Sequence, residues 1–114
     1  MVPESLAAVL DAFVRGDLAA ASDRFASGAA YREPRKPPVV GHAAIAERFA
    51  RFAARGVPYR FDVDDVLVNG GRACVVYRFA EPGGEGQPWR ERAGCATVRF
   101  DERGLIAEWR EYEG

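Results

Sequence analysis

Three helical stripes followed by four alternating strands predict an α+β fold, a cone-shaped α+β barrel in which three N-terminal helices pack on a curved, mainly antiparallel sheet. Three observations carry this expectation. Apolar residues recur at helical spacing as far as Ala53, the period drops to two from Pro58 onward, and Asn69-Gly70-Gly71 is a hairpin turn. The 114 residues contain no internal repeat, linker or low-complexity tract, so residues 1–114 are expected to form one domain.

The first helix follows from Leu6, Val9, Leu10, Phe13 and Val14, which fall on one stripe. Pro3 suits its first turn and Gly16 its end. Asp17 is placed to cap a second, shorter helix with Leu18, Ala21 and Phe25 on its apolar side, ended by the Ser27-Gly28-Ala29-Ala30 stretch. Residues 29–33 are extended, because Pro34 disfavours a helical Glu33. A third helix follows Gly41, with Ile45, Phe49, Phe52 and Ala53 in register and Gly56 as its stop. The strands that follow begin at Pro58, then cover residues 72–81, 89–100 and 105–112.

Composition excludes several functions. The formal net charge is −1, and the arginines are scattered, which gives no pull toward nucleic acid or an anionic membrane. No apolar run has the length of a membrane span, and the N-terminus lacks a signal peptide's basic and cleavage regions, so a cytoplasmic protein is expected. Cys74 and Cys95 lack metal-type spacing, and one histidine, His42, cannot build a metal site; neither metal nor cofactor is expected.

The stretch Tyr31-Arg32-Glu33-Pro34 has the density of chemistry that a pocket needs. If Glu33 faces inward, the period of two puts Tyr31 on the same face and Arg32 on the other. On the strand 72–81 one face holds Cys74, Val76 and Arg78, the other Ala73, Val75, Tyr77 and Phe79. Both are apolar, so the period does not choose between them. The next strand offers Arg92, Gly94, Ala96 and Val98 against Ala93, Cys95, Thr97 and Arg99; the last offers Ala107, Trp109 and Glu111 against Ile106, Glu108, Arg110 and Tyr112.

The segments "RGDLAAASDRFASGAAYREP", "PPVVGHAAIAERF" and "VRFDERGLIAEWREYE" resemble the nuclear transport factor 2-like superfamily, which includes ketosteroid isomerases, limonene epoxide hydrolases and SnoaL-like polyketide cyclases. The resemblance implies that the Arg78, Ala96 and Trp109 sets face inward. The pocket would then hold Val9, Phe13, Phe49, Cys74, Val76, Ala96, Val98 and Trp109, with Glu33, Arg78, Glu111 and Tyr31 as catalytic candidates. Either Glu33 or Glu111 is expected to pair with Arg78, leaving the other freer to exchange protons. Cys95 should face away from Cys74.

Glu33 occupies the general-base position of the ketosteroid isomerases. The positions of their oxyanion-hole tyrosine and aspartate match Val9 and Ala96, and those of two supporting tyrosines match Phe25 and Phe49. Without those donors, efficient ketosteroid isomerase activity is not expected. The expected function is an isomerase- or cyclase-type reaction on a hydrophobic carbonyl ligand, with Glu33 as general acid–base. The alternatives are a non-catalytic ligand- or protein-binding module and an epoxide-hydrolase-like enzyme using Glu111, Arg78 and Tyr31, although Ala80 stands where that family has its second acid. Val75, Tyr77 and Phe79 would then form an apolar outer stripe, and a homodimer through the outer sheet face is expected.

Overall fold

In the computed structural model, which describes residues 2–114, the stripe of α1 (Glu4–Arg15) closes the core: Leu6, Val9 and Ala12 are fully buried and Phe13 nearly so. Gly16 ends the helix at φ 81°, where a residue with a Cβ is strained, and its N–H returns to the last turn. Asp17 then caps α2 (Leu18–Ser22), accepting from the Ala20 N–H at 3.1 Å.

The second helix is shorter than its spacing predicts. Phe25 opens a strand, β1 (Phe25–Arg32), instead of closing the helix. The reason is tertiary: Phe25 pairs in parallel with Ile106, the Ile106 N–H donates to the Arg24 carbonyl at 2.9 Å, and the Phe25 ring is buried edge-on against Tyr31 and Phe49. A two-residue edge strand that the sequence did not announce, β2 (Val39–Val40), lies beside β1 and leads through Gly41 into α3 (His42–Ala54).

The remaining strands are β3 (Arg60–Asn69), β4 (Arg72–Glu81), β5 (Arg90–Phe100) and β6 (Ile106–Glu113). The sheet order is β2-β1-β6-β5-β4-β3, and only the β1–β6 pair is parallel. Gly70 and Gly71 form the two-residue turn between β3 and β4. The helices and the curved, open sheet together make the cone-shaped α+β fold. Among the described residues, no helix is long and apolar enough to cross a membrane.

One extra residue keeps the face of β3 correct. Val63 pairs with Tyr77 and Asp65 with Val76, so Asp64 is bulged out. Val66 therefore packs on the core, while Leu67 is exposed. Without the bulge a strict period of two would turn Asp65 inward.

The facing of β4 is the reverse of the expected one. Ala73, Val75 and Tyr77 are buried, Phe79 shares their face, and Cys74, Val76 and Arg78 point to the outer side. Register shows why the expected sets could not coexist. Ala73 pairs with Val98, Val75 with Ala96 and Tyr77 with Gly94, and directly paired residues share a face. Once Ala96 and Val98 face inward, Cys74, Val76 and Arg78 must face outward. Arg78 instead chelates Asp64 at 2.9–3.1 Å, close to Asp62 and Glu91.

Two consequences follow from this reversal. Cys95 lies on the same outer face as Cys74, diagonally across β4 and β5, because Cys74 pairs with Thr97 and Val76 with Cys95; both thiols are free. The apolar stripe on which a homodimer was expected now lines the interior.

Gly94 leaves room for the hydroxyl of Tyr77. A Cβ there would meet the Tyr112 carbonyl oxygen at 2.6 Å, the Glu113 Cγ at 2.9 Å and the Tyr77 hydroxyl at 3.1 Å. Gly94→Ala is expected to destabilise the fold by about 1–3 kcal/mol in urea unfolding. Gly28→Ala, where a Cβ meets nothing within 4 Å, should change stability by less than about 0.5 kcal/mol.

Candidate functional site

The inward residues enclose a cavity of about 90 Å³, open at one end. Its walls are rings: Phe13 from α1, Phe49 and Phe52 from α3, Tyr31 from β1, Tyr59 and Phe61 at the start of β3, and Tyr77 and Phe79 from β4. They pack edge-to-face or stacked, with Phe61 on Tyr77 at 5.3 Å and Tyr59 on Phe79 at 5.7 Å between centroids. The polar groups are few and convergent, as in a small-molecule site. They are Glu33, Arg48, Arg92, Glu111 and Glu113, with the tyrosine hydroxyls.

Strand β6 supplies the floor. Its period of two puts Trp109, Glu111 and Glu113 on one face. The fully buried Trp109 donates its indole N–H to Glu111 Oε2 at 3.0 Å, and the Tyr31 hydroxyl donates to the same oxygen at 3.3 Å. Glu111 Oε1 receives no hydrogen bond among the described residues. Burial pushes the Glu111 carboxyl up to about 7; the nearby Glu33 and Glu113 charges push the same way, and the bonds from Trp109 and Tyr31 only partly oppose them.

Burial also raises both tyrosines, Tyr31 well above the usual phenol range, with the Glu111 carboxylate as the next cause for each. They stay protonated and act as donors. Tyr77 gives its hydrogen to Glu113 Oε2 at 3.2 Å.

Glu33 is brought to the cavity by the end of β1, as expected, but its partner is Arg48 on α3. Arg48 Nε donates to Oε1 at 3.1 Å and Nη2 to Oε2 at 3.2 Å, a two-point clasp, with Lys36 at 3.8 Å beyond it. Neither Glu33 nor Glu111 pairs with Arg78. The expected site is thus partly assembled. Glu33, Tyr31, Glu111, Phe13 and Phe49 line the cavity. Val9, Ala96, Val98 and Trp109 face inward but are buried in the core. Cys74, Val76 and Arg78 lie outside it.

Arg48, Arg92, Glu113, Tyr59, Phe61, Tyr77 and Phe79 were not among the expected site residues. Signals existed for two of them. Glu113 continues the Trp109–Glu111 alternation, and Arg92 shares the face of Gly94 and Ala96. Arg48 sits beside Phe49 on a helix whose spacing marks only the apolar face. Among the described residues no group of three or more histidine, cysteine or acidic side chains is arranged to hold a metal ion.

Comparison with known proteins agrees with this architecture. The SnoaL-like domain family matches residues 6–109. A candidate polyketide cyclase from Xanthomonas campestris pv. campestris is similar in fold with a TM-score of 0.75 and 24% identity, over 96% of this chain and 87% of that one. An LEH-like epoxide hydrolase from M. tuberculosis superposes with a TM-score of 0.81 at 18% identity, over 98% of this chain and 81% of that one. An NTF2-like protein of unknown function from Burkholderia pseudomallei K96243 gives 0.83 at 17% identity, over 100% and 92%. No curated protein gives a significant match. With a family match across nearly its whole length and the nuclear transport factor 2-like fold in place, the chain belongs to the SnoaL-like domain family.

Proposed function

We propose that this SnoaL-like domain is a cofactor-independent enzyme of the isomerase or cyclase kind, in which Glu111 moves a proton on a small, largely apolar ligand held in the aromatic cavity. The observation that carries this reading is the Glu111 carboxyl at the cavity floor, one oxygen held by Trp109 and Tyr31 and the other unshared; burial raises its proton affinity to about 7. At neutral pH such a group is present in both forms, so it can take a proton from a ligand and return it. Trp109 and Tyr31 hold its other oxygen and fix its orientation. Glu33 has both oxygens engaged by Arg48 and serves as cavity wall. Its charge adds to the burial that raises the proton affinity of Glu111. The proton-transfer role expected for Glu33 is therefore assigned to Glu111.

A hydrolase reading draws on the Tyr31–Glu111 hydrogen bond, which can hold a water, and on the fold shared with the M. tuberculosis epoxide hydrolase. Arg78 lies on the outer face and Ala80 carries no acid, so this reading lacks its epoxide-protonating half. A homodimer through the outer sheet face would rest on exposed Leu67 and Tyr112.

A thermal-shift screen of small carbonyl compounds, terpenoid epoxides and polyketide-like aromatics should find ligands that fill the cavity. On a substrate found this way, Glu111→Gln is expected to lower kcat by about 10²–10⁴-fold and to remove the rate dependence near neutral pH. Glu33→Gln should act mainly on KM. Equal kcat for wild type and Glu111→Gln would overturn the assignment.

Stability gives a second test. Folded Glu111 keeps its proton up to about pH 7, whereas an unperturbed carboxyl loses it near 4.5. In that window the folded state binds more protons, so this group's contribution to stability falls as pH rises. Between those pH values the wild type should lose up to about 3 kcal/mol relative to Glu111→Gln in urea unfolding. A constant difference across the window would contradict a raised proton affinity.

A further inference from the structure

We infer that the natural ligand of the cavity carries a positively charged nitrogen, an ammonium or iminium group on a small apolar body. This rests on the reading of the cavity as a small-molecule site and names the class of molecule it takes.

Hydrogen-bond accounting leads there. The donors at the floor are already engaged with carboxylates: Trp109 Nε1 and the Tyr31 hydroxyl with Glu111, the Tyr77 hydroxyl with Glu113, and Arg48 with Glu33. A carbonyl or oxyanion is left with the remaining guanidinium N–H groups of Arg48 and Arg92, and with Glu111 when that carboxyl is protonated. With the indole and both phenols spent, the inner floor presents mainly carboxylate acceptors, and a ligand that brings its own donors fits it.

Charge points the same way. Glu113 has a side chain 7% exposed, whereas Arg92, which approaches it at 3.6 Å, is 52% exposed. Arg48 is as buried as the Glu33 it clasps and offsets its charge, so the deep charge left over is that of Glu113 and of ionised Glu111. Coulomb attraction is strongest where water is excluded, so the inner end favours a cation. The walls add to this, since ring faces attract ammonium groups; Arg92 already lies over Phe79, its Cζ 4.7 Å from the centroid. The groups facing Glu111 are Tyr31 and Glu33 at β1, Arg48 on α3, Tyr77 on β4, Arg92 on β5 and Glu113 on β6. A cation among them would lower its proton affinity and release its proton.

Four probes of one carbon skeleton test this: isobutylamine, isobutanol, isobutyraldehyde and isobutyrate, titrated at pH 7 with NMR shifts of the cavity residues as readout. The amine, charged at that pH, should bind about tenfold tighter than the alcohol. Glu113→Gln should remove most of that advantage of the amine over the alcohol. Amine binding should also release up to about half a proton, seen as a heat that varies with the ionisation enthalpy of the buffer. If the alcohol or aldehyde shifts the cavity residues and binds as tightly as the amine, the inference falls and the small-molecule reading stands. Preferred binding of isobutyrate has the same meaning. If none of the four shifts those residues, the small-molecule reading falls and takes the inference with it.

Discussion

The parallel pairing of β1 with β6 is the constraint on which the site depends. It sets Tyr31 opposite Trp109 and Arg32 opposite Arg110, so that the Tyr31 ring leans over the next inward residue of β6, Glu111. Antiparallel pairing of β6 with β5 places Ala96 directly across from Glu111, and its small side chain leaves the carboxyl unobstructed. Pairing of β5 with β4 then puts Tyr77 at Gly94, the one inward position of β5 without a side chain, where the phenol reaches Glu113. Three registers in succession thus put two carboxyls and two phenols into one aromatic cone.

This arrangement divides the acids by environment. Glu33 meets a guanidinium that fits both of its oxygens, whereas Glu111 meets an indole, a phenol and the charges of two neighbouring carboxylates. Burial and those two charges raise the proton affinity of Glu111 to about 7. Chemically identical side chains thereby meet different partners.

The fold was legible in the sequence because each of its signals is local. Helical spacing, Gly16, Asp17 and the Asn69-Gly70-Gly71 turn act within a few residues of themselves. The facing of β6 came from the resemblance, since Ala107 is bulged and the buried Ile106 and Trp109 lie three residues apart, which strict alternation does not give. On β4 both faces are apolar, and the choice between them belongs to the pairing with Ala96 and Val98. Phe25 continues a helical stripe in sequence, yet it joins a strand because Ile106 waits beside it. Arg48 could not be read as the partner of Glu33, since a solvent-facing arginine and a clasping one look alike on a helical wheel.

The hydrogen bond between Tyr31 and Glu111 joins residues 80 positions apart. A carboxyl whose burial requires that closure cannot hold its proton at neutral pH in a chain whose β1 and β6 are apart. The neutral acid of Glu111 is then a spectroscopic label that the molecule carries for its own closed state. Its carbonyl stretch in the infrared, at a pH between about 4.5 and 7, scales with the fraction of molecules in which those two strands are zipped together.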